Sequence, residues 1–326
     1  MISSHTLAGA YAPALTPFTS DGKELALDDL RRQLEYIAAA GVDGALLLGT
    51  NGEFPWLDQE EKLRLVTTAI ESGGNLKFLA GATVPDSPKG TLKLAARLAA
   101  LESPPAGLLV APPYYARSAA GKPVPLGELA DFFRYLAAEV HPVPVLLYNV
   151  PFGKRGQPTA AITAELIRQL ADVETVVGVK DSTGSLQNIA AYLEMRPGLQ
   201  VLVGTDHLIG EGLAAGAAGS ITAGGNVFPT AVAAVYQASP GADRTAAQSE
   251  LSSLRRILEL APGKMIASQK LLLHSLGVVP SQSPVRDPDG ELTASERDLV
   301  LEELRRVAQS LVINREVRDR VSDTLD

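Results

Sequence analysis

Val176-Val177-Gly178-Val179-Lys180-Asp181-Ser182 is a nearly charge-free run that closes on a lysine. A short apolar run rich in β-branched residues reads as a buried strand, and here it carries one amine to its carboxyl end. Desolvation disfavours an ammonium ion, so a partly buried lysine gives up its proton more readily. The free amine then adds to a ketone or aldehyde to form a Schiff base. Lys180 is therefore a candidate nucleophile. The competing reading is an ordinary solvated loop lysine snorkelling past apolar neighbours, and only the surrounding sequence decides between the two.

Runs of the same kind recur along the chain, at Ala10 to Leu15, Gly44 to Leu48, Lys77 to Gly81, Gly107 to Val110, Val145 to Tyr148, Val201 to Gly204 and Ser220 to Thr222. Amphipathic helical stretches lie between them: Asp28 to Ala40, Asp58 to Glu71, Thr91 to Leu101, Leu126 to Glu139, Thr163 to Leu170 and Leu186 to Met195. Strand-then-helix units repeated in this way predict a parallel (β/α)8 TIM barrel. The alternative is a doubly wound open sheet, but no strand runs into a G-x-G-x-x-G loop, and the even spacing suits barrel closure. After Pro229 the pattern turns purely helical, with Leu251, Leu254, Ile257, Leu258 and Leu260 in one stripe and Met265 to Leu276 in another. The expected organisation is a barrel over residues 1–238 that carries the active site, followed by a C-terminal helical region over residues 239–326. The Pro-, Ser- and Asp-rich stretch from Pro280 to Gly290 reads as a loop, and the tail from Arg315 onward as frayed.

Composition narrows the function classes. A chain of 326 residues with 46% hydrophobic content buries a sizeable core. It has no cysteine, which removes disulfides, thiolate nucleophiles and cysteine metal sites and suits a reducing cytoplasm. The first residues carry no basic run followed by an apolar core, and no stretch approaches the roughly 20 apolar residues of a membrane helix. A soluble, unexported protein is expected. The net charge of -8 is spread without a basic stripe, which argues against a nucleic-acid partner. The four histidines, His5, His141, His207 and His274, have no companions at ligand spacing, so no metal is expected.

In a barrel, chemistry sits at the carboxyl ends of the strands. The second strand runs into Gly49-Thr50-Asn51-Gly52-Glu53. Its glycines allow backbone amides to turn toward a small anion, with Thr50 and Asn51 as further donors, although a plain glycine-rich turn accounts for it equally well. The fourth strand leads into Pro112-Pro113-Tyr114-Tyr115 and the fifth ends Tyr148-Asn149-Val150-Pro151. Aromatic residues make up only 5% of the chain, so tyrosines closing two successive strands, with a lysine closing the next, weigh against filler.

Together these four motifs, in this order and covering nearly the whole chain, resemble the dihydrodipicolinate synthase and N-acetylneuraminate lyase family. The resemblance implies a class I aldolase-type lyase in which Lys180 forms an imine with pyruvate or another 2-keto acid. The loop amides of Thr50 and Asn51 would bind its carboxylate, and Tyr148 would be the general acid and base. Thr50 and Tyr115 would complete a proton relay, Tyr115 reaching in from a neighbouring subunit of a homodimer or homotetramer, and the Ile221 carbonyl would orient the lysine. No cofactor is implied. This chemistry is coherent: the imine nitrogen accepts the electrons released on carbon-carbon cleavage, so a proton shuttle is needed and a metal is not. A phenol with a pKa near about 10 is a poor base unless a hydrogen-bonded chain passes its proton on.

Departures from the family pattern bear on the substrate. Synthases generally place a carboxylate-binding arginine soon after Tyr-Asn-Val-Pro. Gly153 stands there, in a longer segment, Pro151-Phe152-Gly153-Lys154-Arg155-Gly156-Gln157-Pro158, that leaves Arg155 as a substitute only if the loop is rearranged. The usual second threonine of the carboxylate loop is Asn51, and Phe54-Pro55-Trp56-Leu57 is closer to 4-hydroxy-2-oxoglutarate and 2-keto-3-deoxy sugar acid aldolases. Asp206, in Gly204-Thr205-Asp206-His207, stands where sugar-acid members contact substrate hydroxyls, although a helix N-cap is an equally good account of it. The expected function is cleavage or formation of a carbon-carbon bond next to pyruvate, with an aldehyde as partner and a 4-hydroxy-2-keto acid or 2-keto-3-deoxy sugar acid as substrate. The alternatives are 4-hydroxy-tetrahydrodipicolinate synthase, a keto-deoxy sugar acid dehydratase and, outside enzymes, a keto-acid-binding scaffold.

Overall fold

The computed structural model describes residues 6–114, 122, 124–150 and 162–325. Eight parallel strands are hydrogen-bonded in chain order and close into a barrel: β1 (Gly9–Ala12), β2 (Gly44–Leu47), β3 (Lys77–Gly81), β4 (Gly107–Val110), β5 (Val145–Asn149), β6 (Val176–Asp181), β7 (Gln200–Val203) and β8 (Gly219–Ile221). The (β/α)8 expectation holds, and each strand falls within three residues of the sequence reading. Parallel strands are covered on both faces, and β2 and β4 are accordingly buried at every position. Among the described residues no helix is long and apolar enough to cross a membrane.

The chain forms two compact units, one made of the residues up to Gly9 with Lys77–Ile221, the other of Ala10–Leu76 with Thr222–Asp326. The first holds β3 to β8 and the helices α3 (Pro88–Ala99), α4 (Leu126–Val140), α5 (Ala164–Gln169), α6 (Leu186–Met195) and α7 (Ile209–Ala214). Helix α3 begins three residues before its periodic apolar stripe because Ser87 accepts the Gly90 N–H and Pro88 opens the first turn. On β6, Val145 pairs with Val176 but Leu146 with Gly178, so Val177 is skipped as a bulge. That extra residue brings Lys180 directly opposite Tyr148 and Asp181 opposite Asn149.

The second unit holds β1, β2, α1 (Leu27–Ala39), α2 (Gln59–Ser72), α8 (Gly224–Val227), α9 (Pro229–Gln237), α10 (Ala242–Ile257), α11 (Met265–Ser275), α12 (Ala294–Ala308) and α13 (Arg315–Leu325). Capping boxes start α2 at Asp58 with Glu61 and α12 at Thr293 with Glu296, each pairing two orphan N–H groups. The α10 stripe is buried at Leu251, Leu254 and Ile257, as its spacing predicts. The reading of a frayed tail is wrong. Residues from Arg315 form α13, whose Val317 and Val321 are 1% and 6% exposed. Arg320 lies 5.0 Å over the Tyr36 ring, and the Thr324 hydroxyl donates to the Ser275 carbonyl at 2.6 Å. Those contacts outweigh a polar composition with few apolar residues.

Candidate active site

Strand alternation sorts the end of the β5–β6 pair into two faces. Asn149 and Asp181 share one face, where they bond to Tyr192 of α6, so this is the helix-covered side. Tyr148 and Lys180 take the opposite face, the one a closed barrel turns inward. Lys180 is 6% exposed, and its Nζ lies 4.4 Å from the centre of the Tyr148 ring. An ammonium or iminium nitrogen at that distance gains from the ring's electron-rich face. The solvated-lysine reading is excluded by this burial.

In the other unit, the loop after β2 turns on two non-glycine residues in the left-handed region, Leu48 at φ 56° and Glu53 at φ 53°. Such strain persists where the surroundings enforce it, and it concentrates at functional loops. Gly52 permits the turn by close approach: a Cβ there would stand 3.1 Å from the Ala14 carbonyl oxygen. The Gly52 and Glu53 N–H groups donate to the Gly49 and Thr50 carbonyls, and the Thr16 hydroxyl donates to the Gly52 carbonyl at 2.6 Å. Thr50 is exposed at the loop tip, whereas the Asn51 side chain is buried and its Nδ2 donates to Gln269 Oε1 at 3.4 Å. One N–H of the Asn51 side chain is thus turned to α11.

Glu53 is a residue whose role the sequence reading did not identify. It is 1% exposed, and its carboxylate takes Lys270 Nζ at 2.6 Å and the Arg286 N–H at 2.7 Å. Lys270 also donates to the Pro284 carbonyl and lies 4.5 Å over the Phe18 ring. Burial pushes the Lys270 pKa down and the Glu53 charge opposes it. The motif itself was in view, but its partner stands 217 positions away.

Of the remaining expected site residues, Ile221 is fully buried as the last residue of β8. Asp206 is 2% exposed and is the first residue of a short 3-10 turn, following Thr205 at the N-cap position. Tyr115 and Arg155 lie outside the described residues, as does Gly153. No group of three or more His, Cys, Asp or Glu residues fit to hold a metal occurs among the described residues.

Comparison with known proteins agrees with this architecture. A 4-hydroxy-tetrahydrodipicolinate synthase of Streptomyces coelicolor is 34% identical over 288 residues, covering 86% of this chain and 88% of its own. An uncharacterised DapA-like lyase of Halobacterium salinarum is 32% identical over 298 residues, covering 90% and 93%. Among solved structures, YagE, an Escherichia coli K12 prophage protein in complex with pyruvate, superposes with a TM-score of 0.82 at 25% identity, covering 92% of this chain and 98% of its own. The sialic acid aldolase of Ruminococcus gnavus, at a TM-score of 0.81 and 18% identity, shares the fold. The family description itself matches residues 6–307, and with a buried lysine seated on a strand-end tyrosine the chain belongs to the Dihydrodipicolinate synthetase family, as a carbon-carbon lyase of the class I pyruvate aldolase type.

Proposed function

We propose that this enzyme forms an imine between Lys180 and a 2-keto acid, pyruvate being the simplest, and makes or cleaves the bond to an aldehyde carbon. The observation that carries this reading is the buried Lys180 amine 4.4 Å from the Tyr148 ring. A lysine there has shed most of its hydration, and the neighbouring phenol is the group able to move a proton at the reacting carbons. Addition of the amine to the keto carbon and loss of water give the iminium. Carbon-carbon cleavage then sends its electron pair to that nitrogen, while the Tyr148 oxygen takes the proton of the substrate hydroxyl. Thr50 and Tyr115 pass the proton onward, and the Ile221 carbonyl holds the lysine. The keto acid's carboxylate is bound by the Thr50 and Asn51 backbone amides.

The proposed substrate is a 4-hydroxy-2-keto acid or a 2-keto-3-deoxy sugar acid, with Asp206 as acceptor for substrate hydroxyls. Its support is Gly153 at the position of the arginine that synthases use for a second carboxylate, since a bidentate arginine is the group suited to that task. The second reading, condensation of pyruvate with aspartate semialdehyde, is favoured by the 34% identity to the Streptomyces coelicolor synthase. Arg155 would then replace the missing arginine. Borohydride reduction with pyruvate is expected to add one pyruvate-derived mass to the peptide containing Lys180; absence of any such adduct with every 2-keto acid tried would favour a binding scaffold. Efficient aspartate semialdehyde condensation that collapses in Arg155→Ala would move the assignment to the synthase.

A further inference from the structure

Immediately behind the Tyr148–Lys180 pair lies a closed polar cluster. Asp181 Oδ2 accepts from Tyr192 Oη at 2.9 Å, Asn149 Nδ2 at 3.0 Å and Asn188 Nδ2 at 3.1 Å. Its Oδ1 accepts from the Thr183 N–H at 2.8 Å and from the Thr183 hydroxyl. The Tyr192 phenol also faces the Ile162 carbonyl at 2.7 Å and accepts from Asn149 at 2.8 Å, while Asn149 Oδ1 takes the Ile162 N–H at 3.2 Å. Asn149, Tyr192 and Asp181 are 3%, 1% and 4% exposed. Burial, and then the Asp181 charge, push the Tyr192 pKa up, so the phenol remains a donor.

A buried carboxylate is an expensive way to join two strands, since apolar side chains of similar volume do so at no electrostatic cost. Its placement accounts for the expense. Asn149 directly follows Tyr148, Asp181 directly follows Lys180, and the two pairs sit in adjacent rows of one register. Because successive residues of a strand project to opposite faces, a clamp on the second row fixes the height and rotation of the first. Proton transfer is sensitive to this, for a displacement of about 1 Å can cost on the order of 100-fold in rate.

We propose that Asp181, acting through Asn149 and Tyr192, is a positioning residue that holds the Tyr148 phenol against a ligand bound to Lys180. This inference rests on the imine reading and deepens it. The measurement needs only pyruvate. The Lys180 amine adds to C2 and water leaves; a C3 proton passes to the base as its electron pair moves to the iminium nitrogen; a deuteron from solvent then returns to C3. In D2O the pyruvate methyl signal therefore decays, followed by proton NMR.

Tyr192→Phe removes one hydroxyl from the clamp and touches neither reacting residue. It is expected to lower the exchange kcat about 10-fold or more, to shift the KM for pyruvate by less than about 3-fold, and to leave borohydride labelling at Lys180 in place. Asp181→Asn should do the same if it folds, with Tyr192→Phe carrying the test if it does not. In a Tyr148→Phe background the Tyr192→Phe change should have no further effect on exchange, because the group it positions is gone. Unchanged exchange in Tyr192→Phe, or an equal loss in both backgrounds, would overturn the positioning role and leave the imine intact. Failure of the parent protein to label at Lys180 would overturn the imine and this inference together.

Discussion

At the scale of single residues, two positions on β5 and β6 carry separable burdens. Tyr148→Phe removes a hydroxyl and keeps the ring that faces Lys180, so imine trapping should survive while pyruvate exchange falls by about 100-fold or more, the usual worth of a general acid-base group. A fully active Tyr148→Phe would reduce the phenol to packing. Gly178 has a steric reason for its identity. A Cβ there would meet the Gln200 carbonyl oxygen at 2.3 Å and Leu146 Cδ2 at 2.6 Å, one of which is backbone and cannot turn aside. Gly178→Ala should therefore cost on the order of 1–3 kcal/mol, read as a lowered denaturation midpoint, and it strains the strand that delivers Lys180.

At the scale of elements, the loop after β2 is held by α11 and by the Pro280 to Gly290 stretch, which the composition marks only as loop. Lys270→Ala leaves the Glu53 carboxylate buried without its cation, and breaking such a pair typically costs about 3–5 kcal/mol. Replacing both partners, Glu53→Gln with Lys270→Met, should recover part of that loss in denaturant titrations. A double variant as unstable as Lys270→Ala would mean the volume of the side chain matters more than its charge. Arg286 adds a second tie: it reaches both Glu61 oxygens, at 2.7 and 2.8 Å, and stacks 4.1 Å over the Phe18 ring. Its hydrogen bonds hold the Glu61 carboxyl below the ordinary value. A lowered folded-state pKa stabilises above the unfolded value and is lost as pH falls through the folded one. The stability difference between the parent and Glu61→Gln should thus be full at pH 7 and shrink below about pH 4.3. A difference independent of pH would assign the effect to shape.

At the scale of the whole molecule, the testable question is whether one chain completes its own site. The family resemblance gives Tyr115 to a neighbouring subunit. If that is so, mixed oligomers of Tyr115→Phe and Lys180→Ala subunits should regain activity that neither variant shows alone. Demonstrably mixed oligomers without activity would place the Tyr115 hydroxyl within its own chain or outside the chemistry.

The sequence by itself determined the barrel and named the candidates for its site. Strand-length apolar runs alternating with helical periodicity leave few architectures open, and a lysine closing such a run stands out as a candidate nucleophile before any fold is known. Local signals also located the strands to within three residues, and capping residues account for where α2, α3 and α12 begin. What the sequence left open was every feature that depends on a partner far along the chain. The frayed-tail reading failed because the order of α13 comes from Tyr36 and Ser275, not from its own composition. The Asn51 side chain is committed to Gln269, 218 positions on. The bulge at Val177 is silent in the sequence, yet it sets Lys180 opposite Tyr148 instead of one residue out of step. Periodicity reports which face a residue takes, because that follows from backbone geometry alone. Register and long-range pairing follow from packing, and only the tertiary structure decided them.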